Sequence, residues 1–180
     1  MANSKRVAIL MADGFEEVEY TRPRKALDEA GVDVHVVSLK GGTVKAWAKT
    51  DWGDTYDVDT TVAKATADDY DLLLLPCGVM NPDELRQDED AVAFVQAFAK
   101  AGKPIAAICH APWLLVEADV VKGKTVTSYP SLATDLENAG ATHVDREVVE
   151  DGGLITSRNP GDIPAFNAAV LAALGVKDAA

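Results

Sequence analysis

Cysteine is scarce in this chain: Cys77 and Cys109 are its only two in 180 residues. Two thiols cannot build a disulfide framework or a four-thiolate metal site, and no metal or cofactor is expected. Basic residues are also few, 17 Lys and Arg against 29 Asp and Glu, which leaves a formal charge of −12 at pH 7. A field of that sign repels phosphate backbones and anionic lipid surfaces, so neither nucleic acid nor a membrane is an expected partner. No apolar run comes near the roughly 20 residues that span a bilayer. The start, Met1 to Arg6, passes directly into the strand-like Val7 to Met11 and lacks the length and cleavage site of a secretion signal, which predicts a cytoplasmic protein. The length suits one domain with a full core, so residues 1–180 read as a single domain.

What the chain does have is alternation. Arg6 to Ala12 reads as a buried strand ending at the turn Asp13-Gly14, acidic residues from Glu16 open a helix that Gly31 stops, and Val32 to Leu39 is a β-branched strand. Thr43 to Trp47 and Tyr56 to Val58 are expected as short antiparallel strands around a turn at Asp51 to Asp54. Four leucines, Leu72 to Leu75, end at Pro76 and mark a central strand buried on both faces. Asn81-Pro82 is expected to cap a short helix, and Asp88 to Ala101 is amphipathic up to Gly102. Further on come a short strand at Lys122 to Thr127 and a helix at Ser131 to Asn138. A hairpin about Asp151-Gly152-Gly153 and a last helix from Gly161 to Leu174 complete the pattern. It predicts an α/β fold, a doubly wound parallel sheet with an added hairpin.

The chemistry centres on Lys103 to Val116, where an apolar strand breaks at Cys109-His110 and resumes as a helix. A nucleophile raised on such a strand–turn–helix elbow needs small neighbours two residues to either side, and Ala107 and Ala111 supply them. The following helix start favours a thiolate, which makes Cys109 a candidate nucleophile. In doubly wound sheets the ligand crevice lies at the carboxyl ends of the strands. That brings Cys109-His110 to the Asp13 to Glu19 turn and to Cys77-Gly78. The backbone N–H groups of His110 and Gly78 are candidate oxyanion donors. One carboxyl of Glu16, Glu17 and Glu19, desolvated in the crevice, would stay protonated and donate to the sulfur, while the others serve the helix start. His110 is a candidate base, although neighbours at an elbow diverge and it need not reach Cys109. His35 and His143 read as structural or surface residues.

These segments together resemble the PfpI-like intracellular protease family of the class I glutamine amidotransferase-like superfamily. The residues that carry the likeness are Val7 to Glu19 with Phe15-Glu16-Glu17-Val18-Glu19, Leu75 to Gly78, Ala106 to Pro112, Thr127 to Pro130 and Ile155 to Pro160. The resemblance implies a flavodoxin-like fold, Cys109 as nucleophile, Gly78 in an oxyanion hole, and Glu19 as the protonated acid with Glu16 second. It also implies a homo-oligomer in which Asp83 of one subunit orients His110 of its neighbour. The implied activities are cysteine-dependent and stress-related, namely peptide hydrolysis, deglycation or hydration of methylglyoxal, so the expected substrate is a small carbonyl compound or a peptide or protein. The alternative is a redox-sensing or chaperone-like protein with an oxidisable Cys109. One departure stands out: the family has two glycines after the strand proline, and here the first is Cys77, a second thiol able to resolve an oxidised Cys109 as a disulfide.

Overall fold

In the structure, a computed structural model that describes residues 4–176, strands and helices alternate as the pattern predicts. The expectation of a start without a leader falls in part on residues 1–3, outside those described. β1 (Arg6–Leu10), β2 (Phe15–Glu16), α1 (Glu17–Glu29) and β3 (Asp33–Ser38) open the chain. β4 (Gly42–Ala48), β5 (Asp51–Val58) and β6 (Thr60–Thr61) follow, then β7 (Leu72–Leu75), α2 (Met80–Leu85) and α3 (Glu89–Lys100). After β8 (Ile105–Ile108) come α4 (Pro112–Glu117), β9 (Thr125–Val126), α5 (Ala133–Asn138) and β10 (Thr142–His143). β11 (Val149–Asp151), β12 (Leu154–Ser157) and α6 (Ile163–Leu174) complete it.

The main sheet has seven strands in the order β11-β12-β8-β7-β1-β3-β6. Every pairing in it is parallel except β11 with β12, the hairpin expected at Gly152-Gly153. β1, β7 and β8 lie at the centre, and the leucines of β7 are at most 1% exposed, which is why they need no polar alternation. From β1 the chain crosses to β3 on one side, then returns to β7 on the other. Right-handed crossovers therefore place α1 and α3 on opposite faces. The contacts agree: α1 packs against β3 and α6, whereas α3 packs against β7, β8 and α4. The order reverses between β1 and β7, and in sheets of this kind the crevice opens beyond the carboxyl ends at that point.

Three local expectations need correction. Asp51 to Asp54 is strand, not turn; the hairpin reverses at Lys49-Thr50, where Lys49 takes φ 61°, and the Trp47 and Trp52 rings then meet edge to face at 5.5 Å. Asn81 is not a cap, because α2 begins a residue earlier, and its side chain is drawn into the core instead. The short strand expected at Lys122 to Thr127 is confined to Thr125–Val126, and β9 with β10, like β6 at the edge of β3, pairs in parallel over two residues, too few to show a period of their own.

Candidate active site

Cys109 ends β8 with φ 65°, a left-handed conformation that costs a side-chain-bearing residue on the order of 1–3 kcal/mol. Its amide is held by Ser157 O at 3.0 Å and its carbonyl by Tyr129 N at 2.8 Å, so the neighbouring strand end and the loop before α5 enforce the turn. Ala107 and Ala111, two residues to either side, are both buried. The sulfur faces a cleft of about 430 Å³ and Cys109 is only 8% exposed. Gly14, Glu16 and Glu19 from the β1 end, and Gly78, Val79 and Met80 from the β7 end, form two of its walls. Trp47 and Lys49 from β4 and its turn, with Tyr129 and Pro160, close the remainder.

Glu19 is fully buried on the first turns of α1. Its Oε2 accepts the backbone N–H of Cys77 at 3.1 Å, and Oε1 has no hydrogen-bond partner among the described residues. Burial, then the nearby Cys109 charge and that of Glu16, hold this carboxyl well above the usual carboxylate range. Glu16, at the cleft rim, is also pushed up by burial. Glu17 points elsewhere, accepting from Asp54 N at 2.8 Å and from Tyr56 OH at 3.0 Å.

Cys109 moves the opposite way. A hydrogen bond from the Cys77 thiol outweighs burial and, with His110, brings its pKa down to about 5. His110 does reach its neighbour, with Nδ1 3.2 Å from Cys109 Sγ, because the left-handed turn folds its ring back over the sulfur. The ring stacks on Tyr129 at 4.5 Å and its Nε2 lies 3.3 Å from Ser131 Oγ. Tyr129 and Ser131 are site residues that no charge or spacing in the sequence singles out; only the segment Thr127 to Pro130 hints at the first.

Cys77 is fully buried, and its thiol is raised well above normal by burial and by the Cys109 charge, so it acts as a donor. Its Sγ lies 2.8 Å from Gly78 O and accepts the backbone N–H of His110 at 2.7 Å. One of the two expected oxyanion donors is therefore already occupied by sulfur. Gly78 has φ 94°, and a Cβ there would collide with Gly14 O, so only glycine lets the β1 and β7 loops touch. Asn81 ties the same loops: Oδ1 accepts Ala12 N–H and Nδ2 donates to Pro76 O, each at 2.7 Å. Asp83 lies exposed on α2, apart from these contacts. His35 bonds Tyr70 and His143 bonds Ser128, away from the sulfur, as structural residues would.

The chain is similar over nearly its whole length to known proteins. The chain is 44% identical over 172 residues to general stress protein 18 of Bacillus subtilis (strain 168), covering 94% of this chain and 98% of that protein. It is 40% identical over 173 residues to protein/nucleic acid deglycase 2 of Escherichia coli (strain K12), covering 96% and 99%. The crystal structure of Drosophila melanogaster DJ-1beta superposes with a TM-score of 0.87 at 34% identity, covering 96% of this chain and 91% of that one. Residues 5–173 match the DJ-1/PfpI family, and with the α/β sheet and the cysteine elbow in place the chain belongs to that family.

Proposed function

We propose that the protein is a cysteine-dependent enzyme acting on carbonyl carbon, with a small reactive aldehyde or the glycation adduct it leaves as substrate. The observation that carries the reading is that the Cys109 sulfur and the fully buried Glu19 carboxyl, whose Oε1 has no partner among the described residues, line one cleft, where their surroundings push the thiol pKa down to about 5 and the carboxyl pKa up. Environments that push a pair of titratable groups apart in this way assign the nucleophile and the acid. Cys109 Sγ adds to the aldehyde carbon, a C–S bond forms, and the C=O π pair moves to oxygen, which takes the proton of Glu19. Glu19 is then a carboxylate able to accept a proton from the adduct. Glu16 at the rim and Gly78 in the wall shape the place where the oxygen lands. The small cleft and the shallow exposure of Cys109 favour a small molecule or a side-chain adduct over an extended peptide.

Peptide hydrolysis is the weaker member of the set. A tetrahedral acyl intermediate needs paired N–H donors, and the His110 N–H is taken up by Cys77 Sγ. In an assembled homodimer Asp83 of the partner would add a carboxylate to His110; size-exclusion chromatography with light scattering tests the assembly, and Asp83→Ala tests the contribution. A peroxide-sensing role is the second reading, favoured by the sulfur of Cys77 lying within 4.8 Å of that of Cys109. Purified protein and its Cys109→Ala variant, incubated with methylglyoxal, a glycated peptide and a chromogenic peptide amide, separate these readings. The proposal expects thiol-dependent turnover of the first two; no turnover of any would leave the sensor.

A further inference from the structure

We propose that Cys77, Cys109 and His110 together bind one thiophilic divalent cation, Zn²⁺ being the ion the donor set fits. The two sulfurs and an imidazole nitrogen lie within 4.8 Å of one another, and all three residues are buried. Tetrahedral Zn²⁺ with Zn–S near 2.3 Å and Zn–N near 2.0–2.1 Å spaces such atoms roughly 3.5–4 Å apart. The cluster therefore needs shifts of only about 1 Å to close on an ion. Two thiolates and one neutral imidazole give Zn²⁺ a site of zero net charge, which a monovalent ion would leave negative beside Glu19. Mg²⁺ and Ca²⁺, which take oxygen ligands, find none in the set. With three protein ligands and the cleft in front of Cys109 and His110, the fourth position is open to water, as in other Cys₂His zinc sites.

The surroundings match what a ligand set requires. Metal-bound imidazoles donate their far N–H to an oxygen, and His110 Nε2 lies 3.3 Å from Ser131 Oγ, so a bound ion would take the Nδ1 that otherwise hydrogen-bonds the Cys109 sulfur. The ring is held by stacking on Tyr129 and edge contact with Trp113. Cys77 Sγ already receives the His110 N–H, the kind of bond that steadies a coordinated thiolate. On binding, Cys77 releases its S–H proton to solvent and no electrons are exchanged. The inference rests on Cys77 and is independent of the substrate proposed above.

The test is Zn²⁺ titration of reduced, chelator-treated full-length protein against a chromophoric chelator, with Cys77→Ser and Cys109→Ser alongside and folding checked by circular dichroism. One equivalent is expected, with affinity falling by more than about 100-fold in each variant. No binding, or unchanged affinity in Cys77→Ser, would overturn it. Should a variant fail to fold, Co²⁺ added to the wild-type protein decides: intense tetrahedral bands with sulfur-to-metal charge transfer from two thiolates are expected, and a weak octahedral spectrum or one-thiolate intensity contradicts the site.

Discussion

The sulfur of Cys77 accepts the backbone N–H of His110 at 2.7 Å, so that N–H, the oxyanion donor expected from the elbow, is already engaged. Cys77→Gly restores the residue expected at that position and frees the N–H. An oxyanion donor is worth on the order of 10²- to 10³-fold in rate, so hydrolysis of an activated ester should rise by up to about 100-fold. The comparison belongs above pH 9, because the variant also loses the thiol that lowers the Cys109 pKa. An unchanged kcat/KM there would show that Cys77 does not block the site.

Glu19 should couple stability to pH. Its folded pKa is raised, so its contribution to stability is full below about pH 4.3 and is lost as pH rises through the folded value. Cys109, lowered to about 5, contributes in the opposite sense: fully above its unfolded value near 8.5, and lost as pH falls through about 5. Glu19→Gln removes only the first. Its melting temperature relative to wild type should therefore increase from pH 4 to pH 8, and a flat difference would mean that Glu19 is ionised in the native protein.

Asn81 makes two 2.7 Å bonds to main chain in the core, and Asn81→Ala leaves Ala12 N–H and Pro76 O unpaired. At about 1–3 kcal/mol for each buried orphan, urea unfolding should show a loss of about 2–6 kcal/mol. A loss under about 1 kcal/mol would mean that water replaces the side chain.

The elbow stores strain that Cys109 bears. Cys109→Gly should melt higher than Cys109→Ala, by about 1 kcal/mol in stability, because only glycine accepts φ near 65° without cost. Equal stability would argue for a relaxed turn.

Much of this was legible in the residues. The four leucines of β7 and the Ala107, Cys109, Ala111 spacing place the elbow that carries Cys109, since full burial and elbow sterics leave a local signature. Glu19 stands out from Glu16 and Glu17 only through the family likeness, because all three share one helix start and the side-chain directions are decided by packing. The reach of His110 to Cys109 depends on a left-handed φ at a non-glycine residue, which no propensity announces. The conflict between Cys77 and the oxyanion donor joins residues 33 positions apart and exists only once β7 and β8 are side by side. Asp51 to Asp54 misleads because its Gly and Asp residues are turn formers, while pairing with β4 overrides them.

The proposed chemistry requires Cys109 to be a thiolate near neutral pH. The rate of Cys109 alkylation by iodoacetamide, followed against pH by mass spectrometry of the peptide that carries it, measures this directly. The predicted profile has its midpoint at about 5 and moves upward in Cys77→Ala and in Glu19→Leu. A midpoint near the roughly 8.5 of free cysteine in the wild-type protein would contradict the account.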